Sequence, residues 1–186
     1  VRGTDADQTL VLIDGVKVGG ATLGSVQWEN LPVAQIERIE LVRGPRSSLY
    51  GSEAIGGVIQ IFTRKGGGAL NPRASVGAGT YGTANGSLGL SGGGDKGWFN
   101  LEGSLEQTDG FNACNGRPEP FAGCGVFESD SDGYQNRSVS ARAGYALHER
   151  AEIDVHLLRT DNAVDFDGSP FSGNSARSSQ QVLGAS

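Results

Sequence analysis

Two patterns of apolar and polar residues divide the chain. Up to about residue 65, short apolar runs alternate with turns. Thr9–Ile13 reads as a buried strand ended by the Asp14-Gly15 turn, and 19–30 as a polar, Gly-rich loop. Pro32 can open a short helical turn, after which Ile36–Val42 reads as a second strand broken by Gly44-Pro45. A turn around Ser47–Tyr50 and a third apolar run, Val58–Phe62, complete a small α+β unit.

After Gly66-Gly67-Gly68 the pattern becomes long alternation. Phe99, Leu101 and Leu105 alternate with Asn100, Glu102, Ser104 and Glu106. Val139, Ala141, Ala143, Tyr145 and Leu147 alternate with Ser138, Ser140, Arg142, Gly144 and Ala146, and Ala151–Leu157 continues likewise. Side chains of a strand point to opposite faces in turn, so each segment has one apolar and one polar face. A weaker pair, Arg73–Gly79 and Thr83–Ser91, fits the same scheme. Connections at 93–96 and 148–150 are tight, while 109–135 and 162–178 are long and polar. Short turns at one end and long loops at the other suit an outer-membrane β-barrel; a soluble β-sandwich with one wet face also fits the alternation.

Composition narrows the choice. Glycine at 31 of 186 residues argues for turns and closely packed backbones and against long helices. No apolar run is long enough for a membrane helix. A chain that starts at Val1 and lacks Met is expected to be part of a longer product. The net charge of −6 argues against nucleic acid as a partner. Cys114 and Cys124 have no nearby ligand histidines, so a disulfide is the leading reading and a zinc site a poor one; a disulfide implies an oxidising compartment.

The most specific stretch is Ile36–Lys65, IERIELVRGPRSSLYGSEAIGGVIQIFTRK. It resembles the end of the plug domain of TonB-dependent outer-membrane receptors: a strand into Arg-Gly-Pro, a small-residue turn ending Tyr-Gly, then Gly-Gly-Val and a last apolar strand. Val11–Val16 is similar to the preceding plug strand and its Asp-Gly turn. The later part is most similar to the cobalamin receptor branch, especially at Ser129-Asp130-Ser131-Asp132-Gly133-Tyr134. The run from Gly51 to Val58 is not a phosphate-binding loop, because Gly57-Val58 stands where Lys-Ser/Thr is required.

The resemblance implies an α+β plug segment over 1–66, followed over 71–186 by antiparallel transmembrane β-barrel strands of an incomplete barrel. Five strands and the start of a sixth from Gln180 are expected, out of roughly 22 in such transporters. It implies TonB as partner through a box lying upstream, contact with outer-membrane lipid, and import of a scarce metal-chelate ligand, cobalamin first. A siderophore or haem receptor of the same family, and a soluble calcium-dependent β-sandwich, are the rival readings.

Site expectations follow. The 19–30 loop holds the place of an apical plug loop, with Lys17, Thr22, Ser25 and Gln27 as substrate-binding candidates. By resemblance Arg43 and Arg46 are candidates for plug–barrel contact, with the Arg43 partner expected on barrel strands beyond those read here; Glu102, Glu106 and Asp154 are carboxylates that the lumen wall offers if their polar face points inward. Glu128, Asp130, Asp132 and Gly133 have calcium-loop spacing, but Val139 replaces the closing Glu of an EF-hand. By resemblance Asp130, Asp132 and Asp161, with Asp165 and Asp167 beside them, are calcium candidates bridging two long loops. Asn112 stands where a further carboxylate is expected. His148 and His156 have no ligand-spaced partner and no nucleophile motif accompanies them, so no enzyme is expected.

Overall fold

The computed structural model describes residues 8–20, 26–112, 130–148, 150–167 and 174–186. Thr22, Ser25, Cys114, Cys124 and Glu128 therefore lie outside the described residues, and so do the expectations attached to them.

The first half folds as a four-stranded sheet in the order β2-β1-β4-β3. Its strands are β1 (Thr9–Ile13), β2 (Val16–Val18), β3 (Ile36–Arg43) and β4 (Gly57–Thr63). β1 runs parallel to β4 and is covered on both faces, Leu10 and Leu12 packing on one side and Val11 and Ile13 on the other, which is why its apolar run is continuous rather than alternating. The hairpin joining β1 to the short β2 turns on Asp14 and Gly15, both at positive φ (47° and 85°), the signature of a type I′ turn. Helix α1 (Ser47–Tyr50) and a 3-10 turn at Ser52–Ala54 cover one face of this sheet, burying Leu10, Leu12, Ala54 and Val58 together. Gly57 has φ 147°, and a Cβ there would sit 2.7 Å from the Val42 carbonyl oxygen. The second glycine of the Gly-Gly-Val motif is thus required by its backbone and by the closeness of β3.

The second half is one antiparallel sheet in sequence order, from β5 (Asn71–Ala78) and β6 (Ala84–Gly93) through β7 (Gly97–Phe111) and β8 (Asp132–His148) to β9 (Ala151–Asp165) and β10 (Ser175–Ala185). Its faces are inverted relative to a soluble sandwich. Buried positions are polar: Asn100, Glu102, Asn136, Ser138, Ser140, Asp154, His156, Thr160 and Asn162. Leu88, Leu101, Leu105, Val139, Tyr145 and Val155 are exposed on the other face, and Val76 is 92% exposed. An apolar face turned outward and a polar face turned inward is the arrangement of a membrane barrel wall, and it removes the sandwich reading.

Strand ends depart from the sequence expectation. β10 begins at Ser175 rather than Gln180, β9 continues to Asp165, and β8 reaches back to Asp132, so the long connections are shorter than 109–135 and 162–178. The physical reason is that the ladder continues beyond the apolar belt, where alternation of hydrophobicity stops marking it. β2 was not expected at all; three residues are too few to show a period.

Candidate plug–barrel interface

The first sheet is seated against the inner face of the second by three contacts stacked along the wall. Nearest the short turns lies an ionic cluster. The I′ turn aims the Asp14 carboxylate at β4, where it accepts from the Thr63 backbone N–H at 3.0 Å and from the Thr63 hydroxyl. Arg142, inward on β8, donates to Asp14 at 2.6 Å and to the Thr63 carbonyl at 3.0 Å. Its remaining nitrogens grip Asp154 of β9 at 2.8 and 3.1 Å. Lys65, just after β4, stands 3.3 Å from Asp154 and 3.8 Å from Glu152. The Trp98 ring lies under both cations, 5.1 Å from the Lys65 ammonium and 5.9 Å from the Arg142 guanidinium, and its N–H donates to Glu152. Asp14, Asp154 and Arg142 are all nearly excluded from solvent. One guanidinium thus ties the two sheets together with charge-assisted bonds on both sides.

Above it the contact is apolar. Val11, Ile13, Val18 and Ile61 of the first sheet bury against Leu158 and Val182, the aliphatic interruptions of an otherwise polar wall. Toward the long loops it becomes polar again. Gln35 donates to Ser138 at 3.1 Å, the Glu29 carbonyl accepts from Tyr134 at 2.5 Å and from Asn136 at 2.8 Å, and Ser178 donates to Asn30 at 3.2 Å. Beside this seam a gap of about 260 Å³ separates residues 31–34 from Asn85, Ser87, Glu106 and Asn136 of the wall.

The expected site residues fall as follows. Lys17 is on β2 and bonded to Glu53 at 2.5 Å, committed within the first sheet's own structure. Gln27 is exposed, and its side-chain oxygen accepts from Asn30 at 2.7 Å. Arg43 and Arg46 are exposed and meet no carboxylate among the described residues. Of the three wall carboxylates, Asp154 does meet an arginine, but it is Arg142 of the neighbouring strand. Glu102 faces Arg73 of β5 at 3.8 Å, and Glu106 is exposed. The interface therefore uses pairs of both polarities: wall Arg142 with plug Asp14, and plug-side Lys65 with wall Asp154.

Of the acids expected to hold calcium, Asp132, Asp161 and Asp165 do not all share one face of the wall. β7–β8 and β9–β10 do connect at the same end, as the loop pattern implied. Asp161, however, lies on the outward face and is gripped by Arg159 at 3.0 and 3.2 Å. Asp165 shares that face, whereas Asp132 falls on the opposite one by strand alternation. Among the described residues no three His, Cys, Asp or Glu gather as metal ligands; residues 113–129 and 168–173 of the two long loops lie outside the described residues. Asp14, Thr63, Gln35 and Arg142 were not singled out in the sequence. The available signal was Arg142, the one cation among Ser and Gly on the polar face of β8.

Comparisons with known proteins agree with this geometry. Residues 1–58 match the family model for the TonB-dependent receptor plug domain. The chain is 39% identical over 170 residues to the vitamin B12 transporter BtuB of Photobacterium profundum, covering 91% of this chain and 27% of the relative. It is 40% identical over 174 residues to the vitamin B12 transporter BtuB of Vibrio cholerae, with the same coverage. The chain thus spans about a quarter of the length of these relatives. Among solved structures, it resembles a ferripyoverdine receptor of the outer membrane of Pseudomonas aeruginosa with TM-score 0.72 at 15% identity, covering 99% of this chain and 25% of that one. A ferric enterobactin receptor of the same organism gives TM-score 0.66 at 23% identity, covering 94% and 28%. At such identities the structural likeness shows the fold alone. The chain belongs to the TonB-dependent receptors of the outer membrane, of which it carries plug and barrel-wall segments.

Proposed function

We propose that the parent receptor imports cobalamin, with residues 1–66 acting as plug and 71–186 as the adjoining wall. The observation that carries this reading is the plug sheet seated on a polar wall by one arginine cluster, one small apolar contact and a few side-chain bonds. Such a seat can be loosened and remade without unfolding the wall. TonB is the partner that would pull, through a segment outside this chain. The role is to bind and gate, with no catalytic step.

Likeness to vitamin B12 transporters at 39% and 40% identity favours cobalamin over an iron chelate. Siderophore receptors share the fold at 23% or less among those compared. The test is titration of the full-length receptor in detergent with cyanocobalamin and, separately, a ferric siderophore. Binding of cyanocobalamin alone is expected. Binding of the siderophore alone would move the assignment to iron uptake while leaving the plug and wall intact. Repeating the titration with calcium and with chelator asks whether the acids of the long-loop ends couple to binding.

A further inference from the structure

The outward face of the wall carries a groove that neither the plug contact nor ligand uptake uses. It holds about 650 Å³. Gly86 and Gly103 form its floor, and Val76, Leu88, Leu105 and Val139 its sides. The two glycines lie diagonally on adjacent strands, Gly86 opposite Leu105 and Gly103 opposite Leu88, and leave a trough between the leucines. One end is closed by Arg137 and Arg159, with Asp161 beside them. β8 and β9 both have their two neighbouring strands in place, so this end of the groove is complete in the chain.

The charges there do not cancel. Asp161 holds Arg159 at 3.0 Å and lies opposite Arg137 in the ladder, so two cations face one anion. Arg137 is exposed and makes no side-chain bond among the described residues. Along β8 it lies beyond Val139, Ala141, Ala143 and Tyr145 of the apolar belt. With a rise of roughly 3.3 Å per residue and the usual strand tilt, that is about 20 Å above Tyr145, the far rim of a belt about 25 Å tall. The rim is the one toward the long loops, which in outer-membrane barrels face the cell exterior.

We infer that this groove binds a phosphate-bearing lipid of the outer leaflet, an acyl chain lying between Val76, Leu88, Leu105 and Val139 and the headgroup phosphate against Arg137 and Arg159. A planar guanidinium matches phosphate oxygens in bidentate fashion, and Asp161 fixes Arg159 in position to do so. The trough is apolar and opens to the bilayer, which suits a lipid chain. The inference rests on the barrel reading above.

The test uses the full-length receptor in a neutral detergent, with bis-phosphorylated lipid A and enzymatically dephosphorylated lipid A as probes, and native mass spectrometry as readout. The phosphorylated form is expected to bind about tenfold more tightly. Arg137→Ala/Arg159→Ala is expected to abolish that preference. Arg137→Gln alone, which keeps the Arg159–Asp161 pair, should reduce it several-fold and guards against misassembly of the double variant. Equal binding of the two lipids, an unchanged preference in the variants, or a receptor dimer that seals the groove would overturn the proposal. Heat-modifiable migration of the same samples distinguishes the two readings. Its loss would fail the barrel itself, whereas an intact barrel without phosphate preference fails only the lipid site.

Discussion

Replacing Arg142 by methionine should weaken the seating of the plug by about 3–5 kcal/mol, the usual cost of stripping one partner from a buried ion pair. Methionine approximates the length of the side chain, so the loss is of charge and hydrogen bonds rather than of packing. Asp14 would keep only its bonds from Thr63, with no cation, and Asp154 would keep Lys65, 3.3 Å away and half exposed. Their desolvation, endured in the native protein because a guanidinium spans both, would then be uncompensated. In the full-length receptor, the plug of the Arg142→Met variant should become cleavable by protease under conditions in which the wall stays intact. The triple variant Asp14→Asn/Arg142→Met/Asp154→Asn should recover much of the loss, because no unpaired buried charge remains. Wild-type resistance in the single variant would mean that the cluster contributes little to seating.

The apolar contact predicts a second large effect. Ile61 is 1% exposed, at the centre of the cluster formed by β1, β2 and β4 against Leu158 and Val182. Ile61→Ala removes three carbons from a site walled on one side by strands and on the other by the barrel, which limits collapse into the cavity. A loss of about 2–5 kcal/mol is expected, read as a lowered urea midpoint for plug unfolding. Val182→Ala removes less volume from the same contact and should move the midpoint in the same direction by less. An Ile61→Ala midpoint equal to wild type would assign seating to the polar bonds alone. The two predictions are separable: salt should lessen the plug's seating by the cluster only slightly, since it is buried, and should leave the apolar term untouched.

Much of this architecture was legible in the residues, each part for a physical reason. The continuous Leu-Val-Leu-Ile of β1 identified a strand buried on both faces. Alternation identified β7, β8 and β9, and the contrast of tight turns with long connections identified which strand ends lie together. Interface chemistry was harder to see. Asp14 has a sufficient local explanation as the first residue of a type I′ turn, so nothing in the sequence marks its carboxylate as reaching across to another sheet. Arg142 looked like one more polar position in an alternating strand; only the spatial neighbour Asp154 and the plug turn give it a role. Asp161 is different, because its orientation could have been read. It shares the parity of Ile153, Val155 and Leu157, the apolar positions of β9, and therefore points outward with them rather than toward a shared loop site. The expectation of calcium rested on the spacing of the acids together with resemblance at the loops, whereas the position of Asp161 is set by strand parity.

The most direct test of the central claim, that the plug sits on this wall and must leave its seat for transport, is a reversible cross-link across the seam. Asn30 and Ser178 are bonded at 3.2 Å across it. Asn30→Cys/Ser178→Cys, introduced together with Cys114→Ser and Cys124→Ser into the full-length receptor, would be bridged by a short, reducible thiol cross-linker. The bridged receptor should still bind cyanocobalamin at the cell surface but fail to carry it inward, and reductant should restore uptake. Efficient uptake with the bridge in place would contradict the account, and so would failure of the two thiols to bridge in an assembled receptor.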